Sequence, residues 1–386
     1  MNFAMQVSEL EDQLKRITVE DDDDVLLLKH IEDYEGKNIA KTDDDGELQV
    51  YCSRNPVTPF ERRIRGVIFN NNQLIYRGFP YTQELTSHDP RLDSLDLASF
   101  HVKNSYEGSL LKLIYFNHRW RLTTHRRLDA FSSLWADVCK TFGQQFVELL
   151  VAYGFPSYEA FLNELDQTKR YHFIIVNNQY TRIVIKPELQ KESLYLVLVT
   201  DSDDNVVYPF PNVGRIPVSQ TLNFESMAAV QDYVDNIDPF EMQGVILYSP
   251  DYRQQYRILN SRYQTYMKVR NNIPCLKFCY AVCRNDPEMK RLYAELYPEC
   301  SDLSNWVEER LKVIIEELWR DYKLRYIRKR YLRVSSERHG ILQTIQKRYL
   351  ETRKPVQIED VRFAVDTYAF PIRLYKIIQK TDRIYN

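Results

Sequence analysis

Hydrophobic and polar positions divide the chain into three textures. Residues 4–35 mix apolar and charged positions without a firm period, and the pattern predicts a short helix over 6–16 and a strand at 25–28. From about residue 50, short apolar runs alternate with turn-forming residues. Runs 66–69 and 73–76 flank Asn70-Asn71-Asn72, and runs 109–116 and 120–124 flank Asn117-His118. Runs 171–176 and 180–185 flank Asn177-Asn178, and 194–199 and 206–208 flank an aspartate-rich turn. Runs 244–248 and 256–259 complete the series, with helices predicted at 127–151 and 225–235. After Pro274 the pattern becomes helical over 287–298, 302–333 and 337–351, with a last helix over 358–380 broken near Pro371. Antiparallel hairpins followed by helices predict an α+β fold whose boundary lies near 272–276.

Length agrees with that division: 386 residues suggest two or three domains. The reading is an acidic lead over 1–50, a hairpin domain over 51–275 and a helical domain over 276–386. Net charge is only −2, yet the charge is segregated. Acidic runs lie at 21–24 and 43–45, whereas residues 320–354 carry twelve lysines and arginines against Asp321, Glu337 and Glu351. The acidic runs read as solvated loop, or alternatively as a decoy folding back on the basic segment. The 28 tyrosines suit both cores and stacking surfaces. No stretch reaches the roughly 20 apolar residues of a membrane span. The first residues, with Glu9, Glu11 and Asp12, do not resemble a signal peptide. Cys275, Cys279 and Cys283 recur every fourth residue, on one helix face, without CxxC spacing. They read as small buried side chains, so no metal site is expected. The absence of a disulfide framework points to a reducing, intracellular compartment.

Five short segments carry the chemistry. Arg65-Gly66-Val67-Ile68-Phe69 leads to Leu74-Ile75-Tyr76-Arg77-Gly78-Phe79-Pro80. Ser105-Tyr106-Glu107-Gly108-Ser109-Leu110 follows, then Phe173-Ile174-Ile175-Val176 with Arg182-Ile183-Val184. Gln243-Gly244-Val245-Ile246-Leu247 and Tyr266-Met267-Lys268-Val269-Arg270 end the series. In order and spacing these resemble the nucleotidyltransferase core of the phage-type ATP-dependent RNA ligases, over roughly residues 62–275 with weaker support to 350. Similar degenerate ligase-like proteins are encoded by large DNA viruses. The resemblance implies an antiparallel nucleotidyltransferase core with a helical C-terminal domain, use of ATP and Mg2+, and action on RNA. It also implies one cleft lined by Ser105, Ile174, Gln243 and Lys268.

The departures fall where the family does its chemistry. Its K-x-(D/E)-G-S-L element begins with a lysine whose amine attacks ATP; here that residue is Ser105, while Glu107 and Gly108 match. Its nucleoside-holding glutamate is replaced by Ile174, which cannot hydrogen-bond, and a metal-motif glutamate by Gln243, which carries no charge. Lys268 and Arg270 keep the cationic phosphate motif. Lys103, two residues before Ser105, shares its strand face but starts roughly 7 Å away. It is the alternative nucleophile, or else an ordinary lysine. Arg126 and Arg127 follow a predicted strand and read equally as phosphate contacts or as a solvated hairpin end. His118, His125 and His172 lack ligand spacing. Arg320, Lys323, Arg325, Arg328, Lys329, Arg330 and Arg333 interleave with Tyr322, Tyr326 and Tyr331, a pattern suited to single-stranded nucleic acid. Three functions stay open: a degenerate RNA-ligase-like protein that binds RNA or nucleotide, an active ligase or adenylyltransferase with relocated residues, and a structural or virion protein reusing the fold.

Overall fold

The computed structural model describes residues 38–71, 73–135, 140–176, 181–270, 272–368, 372 and 374–379. The helix expected over 6–16, the strand at 25–28 and the acidic run at 21–24 lie outside the described residues. The chain divides between Ser261 and Arg262 into two compact units. The protein is α+β, with largely antiparallel sheets followed by helices.

The first unit holds three sheets among its described residues. Strands β1 (Ile39–Asp44), β2 (Gln49–Ser53), β3 (Arg65–Asn70) and β4 (Gln73–Tyr76) form an antiparallel meander in that order. The short helix α1 (Pro59–Arg63) interrupts it, capped by a Thr58–Glu61 capping box. β1 and the start of β2 fall inside the segment expected as an acidic lead. The Asp43–Asp45 run is the tip of their hairpin and is not free loop: Asp43 accepts from Leu128 N at 2.8 Å and pairs with Arg127, and Asp45 pairs with Arg121. That run is paired locally, with cations of the same unit.

Strands β5 (Gln83–Thr86), β6 (His101–Ser105), β11 (Thr221–Leu222), β12 (Gly244–Tyr248) and β13 (Gln255–Leu259) make a second sheet, ordered β11-β6-β12-β13-β5. Only its β13–β5 pair is parallel. The third sheet is β10 (Ser193–Thr200), β9 (Arg170–Val176), β7 (Ser109–Phe116) and β8 (Arg119–Thr123). β7 and β8 join through Asn117 and His118, both with positive φ, as a tight two-residue hairpin demands. Two predicted strands are absent: residues 181–185 form none, and Val206 makes only an isolated bridge to Thr200.

Period-two alternation sorts each strand between two layers. On β7 and β9, Leu111, Leu113, Tyr171, Phe173 and Ile175 face helices α2 (Phe142–Ala152) and α3 (Tyr158–Asn163), meeting Phe146, Leu150 and Phe161. On β6, β12 and β13, Val102, Val245, Leu247 and Ile258 meet Val230 and Val234 of α4 (Met227–Asn236). The opposite faces look at each other, so two sheets are sandwiched between helices. The helix predicted over 127–151 begins only at Phe142, where Thr141 and Gln144 form a capping box.

The second unit is helical: α5 (Ser261–Arg270), α6 (Leu276–Cys283), α7 (Pro287–Leu296), α8 (Ser301–Tyr322), α9 (Ser336–Thr352) and α10 (Ile358–Tyr368), with a helical stretch at 374–379. The predicted 302–333 helix stops early. A π-turn at Lys323–Ile327 ends α8, and Lys329 takes a left-handed φ of 54°. Like charges three and four apart (Arg325 with Arg328 and Lys329, Lys329 with Arg333) disfavour continuing the helix. Among the described residues no helix is long and apolar enough to cross a membrane.

Candidate functional site

The motif residues of the first unit meet in the layer between the two sandwiched sheets. β6 and β12 are antiparallel neighbours, pairing Ser105 with Gly244 and Lys103 with Ile246. Ser105 and Lys103 therefore share the inner face, as their spacing implies. Gln243 precedes β12 and reaches across: its Nε2 donates to Ser105 Oγ at 2.9 Å and to Tyr106 O at 2.7 Å. A carbonyl only accepts, so the amide nitrogen must face it, and both of its hydrogens are used. A glutamate there would set a carboxylate against the Tyr106 carbonyl. Ser105 and Gln243 thus form a neutral hydrogen-bonded pair.

Glu107 is buried and its carboxylate is taken. Oε1 accepts from Ile183 N, and Oε2 from Val184 N at 2.9 Å and Ile185 N at 3.4 Å. Consecutive amides converging on one anion form a backbone nest. This is why 181–185 is no strand: its amides serve Glu107 rather than a ladder. Gly108 is required for close approach, since a Cβ would lie 2.4 Å from Ile175 O. Ile174 packs in the inter-sheet cluster with Phe79, Val197, Ile246, Tyr248 and Tyr252.

Lys103 is buried, with Nζ donating to Ser219 O at 2.9 Å and lying 5.8 Å from the Phe210 ring centre. Burial lowers its pKa to about 8. Arg126 is exposed, while Arg127 pairs with Asp43 at 3.3 Å. Lys268 and Arg270 belong to the helical unit, on α5. Lys268 is exposed; Arg270 is buried, its Nε donating to Ile273 O at 3.0 Å and its Nη2 to Pro274 O at 2.8 Å. Arg270 therefore ties down the 273–274 backbone that follows α5. Cys279 and Cys283 are buried beside Val269 O, at 3.2 and 3.5 Å.

Sequence reasoning missed a polar network in the same inter-sheet layer. Lys112 and His172 are cross-strand partners on β7 and β9. Lys112 Nζ donates to Gly66 O at 3.0 Å and lies 4.5 Å from the Tyr76 ring centre; burial lowers its pKa to about 7. Tyr76 and His172 are 2.7 Å apart, and His172 Nδ1 faces Leu198 O at 3.3 Å. The carbonyl requires the proton on Nδ1, so Nε2 accepts from the tyrosine. Burial lowers the His172 pKa to about 3, holding it neutral. The signal was available: Lys112 and His172 occupy inward positions of otherwise apolar alternations.

In the helical unit, Lys323, Arg328, Lys329, Arg330 and Arg333 are exposed, and Arg320 lies 4.0 Å from Asp321. Arg325 is half-buried against His339 at 3.0 Å. Lys323 sits 5.0 Å over Trp319, and Arg325 5.6 Å over Tyr326.

No family model matches the chain. It is 26% identical over 306 residues to the immediate-early protein ICP-46 homolog of Invertebrate iridescent virus 6, covering 73% of this chain and 66% of that protein. It is 26% identical over 283 residues to the homolog of Invertebrate iridescent virus 3, covering 68% and 60%. The immediate-early protein ICP-46 of Frog virus 3 is 21% identical over 166 residues, covering 43% and 38%. The chain thus spans about two thirds or less of the length of these curated relatives. Among solved structures, an archaeal ATP-dependent RNA ligase aligns with TM-score 0.42 and 11% identity over 71% of this chain and 73% of that one. A putative ATP-dependent DNA ligase from Aquifex aeolicus gives 0.44 and 13% over 87% and 85%. A Naegleria gruberi RNA ligase variant with AMP and Mn gives 0.32 and 12% over 46% and 55%. Scores this low decide nothing about chemistry.

Proposed function

We propose that this chain is a ligase-derived protein that has lost adenylation and binds nucleic acid through its helical unit, inside the infected cell. One observation carries the first half: Ser105 and Gln243 are hydrogen-bonded to each other where the family sets its nucleophile and a metal-motif glutamate. ATP and magnesium do not fit the residues present. The Glu107 carboxylate is consumed by backbone amides, Ile174 belongs to an apolar cluster, and Gln243 has no charge. The relatives' designation as immediate-early viral proteins accords with an intracellular role.

Ser105→Lys alone is expected to yield no AMP adduct on incubation with ATP and manganese, read by intact mass. The introduced amine would meet Gln243 and no nucleotide-holding carboxylate, and catalytic groups that act together are strongly non-additive. An adduct on the introduced lysine would overturn the closed-site reading.

For the second half, cation density is the support: Arg328, Lys329, Arg330 and Arg333 are exposed. Single strands give a log–log salt slope of about −0.7 per phosphate neutralised, so four to six contacts predict about −3 to −4. Replacing Arg328, Lys329 and Arg330 together with alanine should shallow the slope by about 2 and weaken all sequences alike. Filter binding across salt concentrations checks this. No affinity for RNA or single-stranded DNA at low salt would make the basic segment a packing surface and favour a structural protein.

A further inference from the structure

The link between α8 and α9 displays an aromatic ring that the fold leaves uncovered. Tyr331 is 94% exposed, and Ile327, on the preceding turn, is 62% exposed. The other aromatics of this region are used: Trp319 stacks with Tyr322 at 6.0 Å, and Tyr322 meets Tyr326 at 5.2 Å. Tyr331 has no ring or hydrogen-bond partner among the described residues. Its sequence neighbours Arg328, Lys329, Arg330 and Arg333 are all exposed and form no ion pair there. A helix C-terminus favours a cation or two in its last turn, but this cluster continues past the helix end. The turn is firmly built: Arg328 N donates to Lys323 O and Arg330 N to Leu324 O, each at 2.9 Å. Lys329 holds the left-handed position where glycine or asparagine is usual, so a cation is kept at a conformational cost.

We propose that the 327–333 turn is a single-strand reader, in which Tyr331 stacks on an unpaired base while the flanking cations hold the adjoining phosphates. It rests on the nucleic-acid reading above and adds the residue that reads the unpaired base. Cations alone bind any polyanion, duplex included. A stacking ring adds affinity only where a base presents a free face, because in a duplex both faces of each base are already stacked. An acidic protein segment would use the cations and leave the ring idle.

The test uses the full chain and fluorescein-labelled oligo(U) of about twelve nucleotides, beside a hairpin duplex of equal charge. The expected result is tighter binding of the single strand. Tyr331→Ala should weaken that binding about tenfold while changing duplex binding less than about twofold, and Tyr331→Trp should restore it. The side chain is almost wholly exposed, so neither variant threatens folding. If Tyr331→Ala affects neither probe, or both equally, while loss of the three cations weakens both, the single-strand reader is wrong and general nucleic-acid binding stands. If no oligonucleotide binds at low salt, both fall. If poly-glutamate of matched charge competes as well as oligo(U), the occupant is an acidic protein segment and the proposal is overturned.

Discussion

Glu107→Ala is expected to destabilise the sheet unit by at least about 3 kcal/mol, because three backbone amides lose one charged acceptor in a buried site. That is a large share of the roughly 5–15 kcal/mol that holds a typical domain folded. Glu107→Gln keeps the shape and one acceptor oxygen but loses the charge, and should cost about 1–2 kcal/mol. The midpoint of urea unfolding reports both, provided the denaturant slope is unchanged. The outcome separates two roles for one residue. A glutamate free to hold a nucleotide could be removed with little effect on stability. A glutamate that organises residues 183–185 could not. An alanine variant within about 0.5 kcal/mol of the parent would return Glu107 to the ligand-binding role that the resemblance implies.

Much of the fold was legible because strand alternation and turn chemistry agree locally. Asn117-His118 marks a tight hairpin in sequence, and both residues adopt positive φ in the structure. The 225–235 helix appears as α4, presenting Val230 and Val234 to the β6–β12–β13 sheet. The failures have separate physical causes. β1 and β2 were hidden under an acidic composition, because Asp43 and Asp45 are paired with arginines distant in sequence. Residues 181–185 have strand-like composition, but a carboxylate captured their amides. The long basic helix ends where cations crowd one another, a limit that an absence of glycine and proline does not reveal.

The site was legible in part. The order of the segments implied that Ser105, Ile174 and Gln243 belong together; Gln243 hydrogen-bonds Ser105, and Ile174 packs in the inter-sheet apolar cluster. The pairing of Gln243 with Ser105 was not legible, because it depends on a backbone carbonyl at Tyr106 whose direction no side-chain identity encodes. Lys103 points to the inner face as spacing required, yet its amine is committed to the Ser219 carbonyl, more than a hundred residues away in sequence. Lys268 and Arg270 lie on α5 in the helical unit, and the Arg270 guanidinium donates to the Pro274 carbonyl just past that helix. The Lys112–Tyr76–His172 network went unread because no short motif contains it.

The proposed loss of adenylation rests on the Ser105–Gln243 pairing. Intact-mass analysis of the unmodified protein after incubation with ATP and either magnesium or manganese tests it most directly. The closed pairing of Ser105 with Gln243, and the commitment of Lys103 to a carbonyl, predict a single unshifted mass. A mass increased by one adenylyl group, mapping by peptide analysis to Lys103, would contradict the account and identify an active enzyme with a relocated nucleophile.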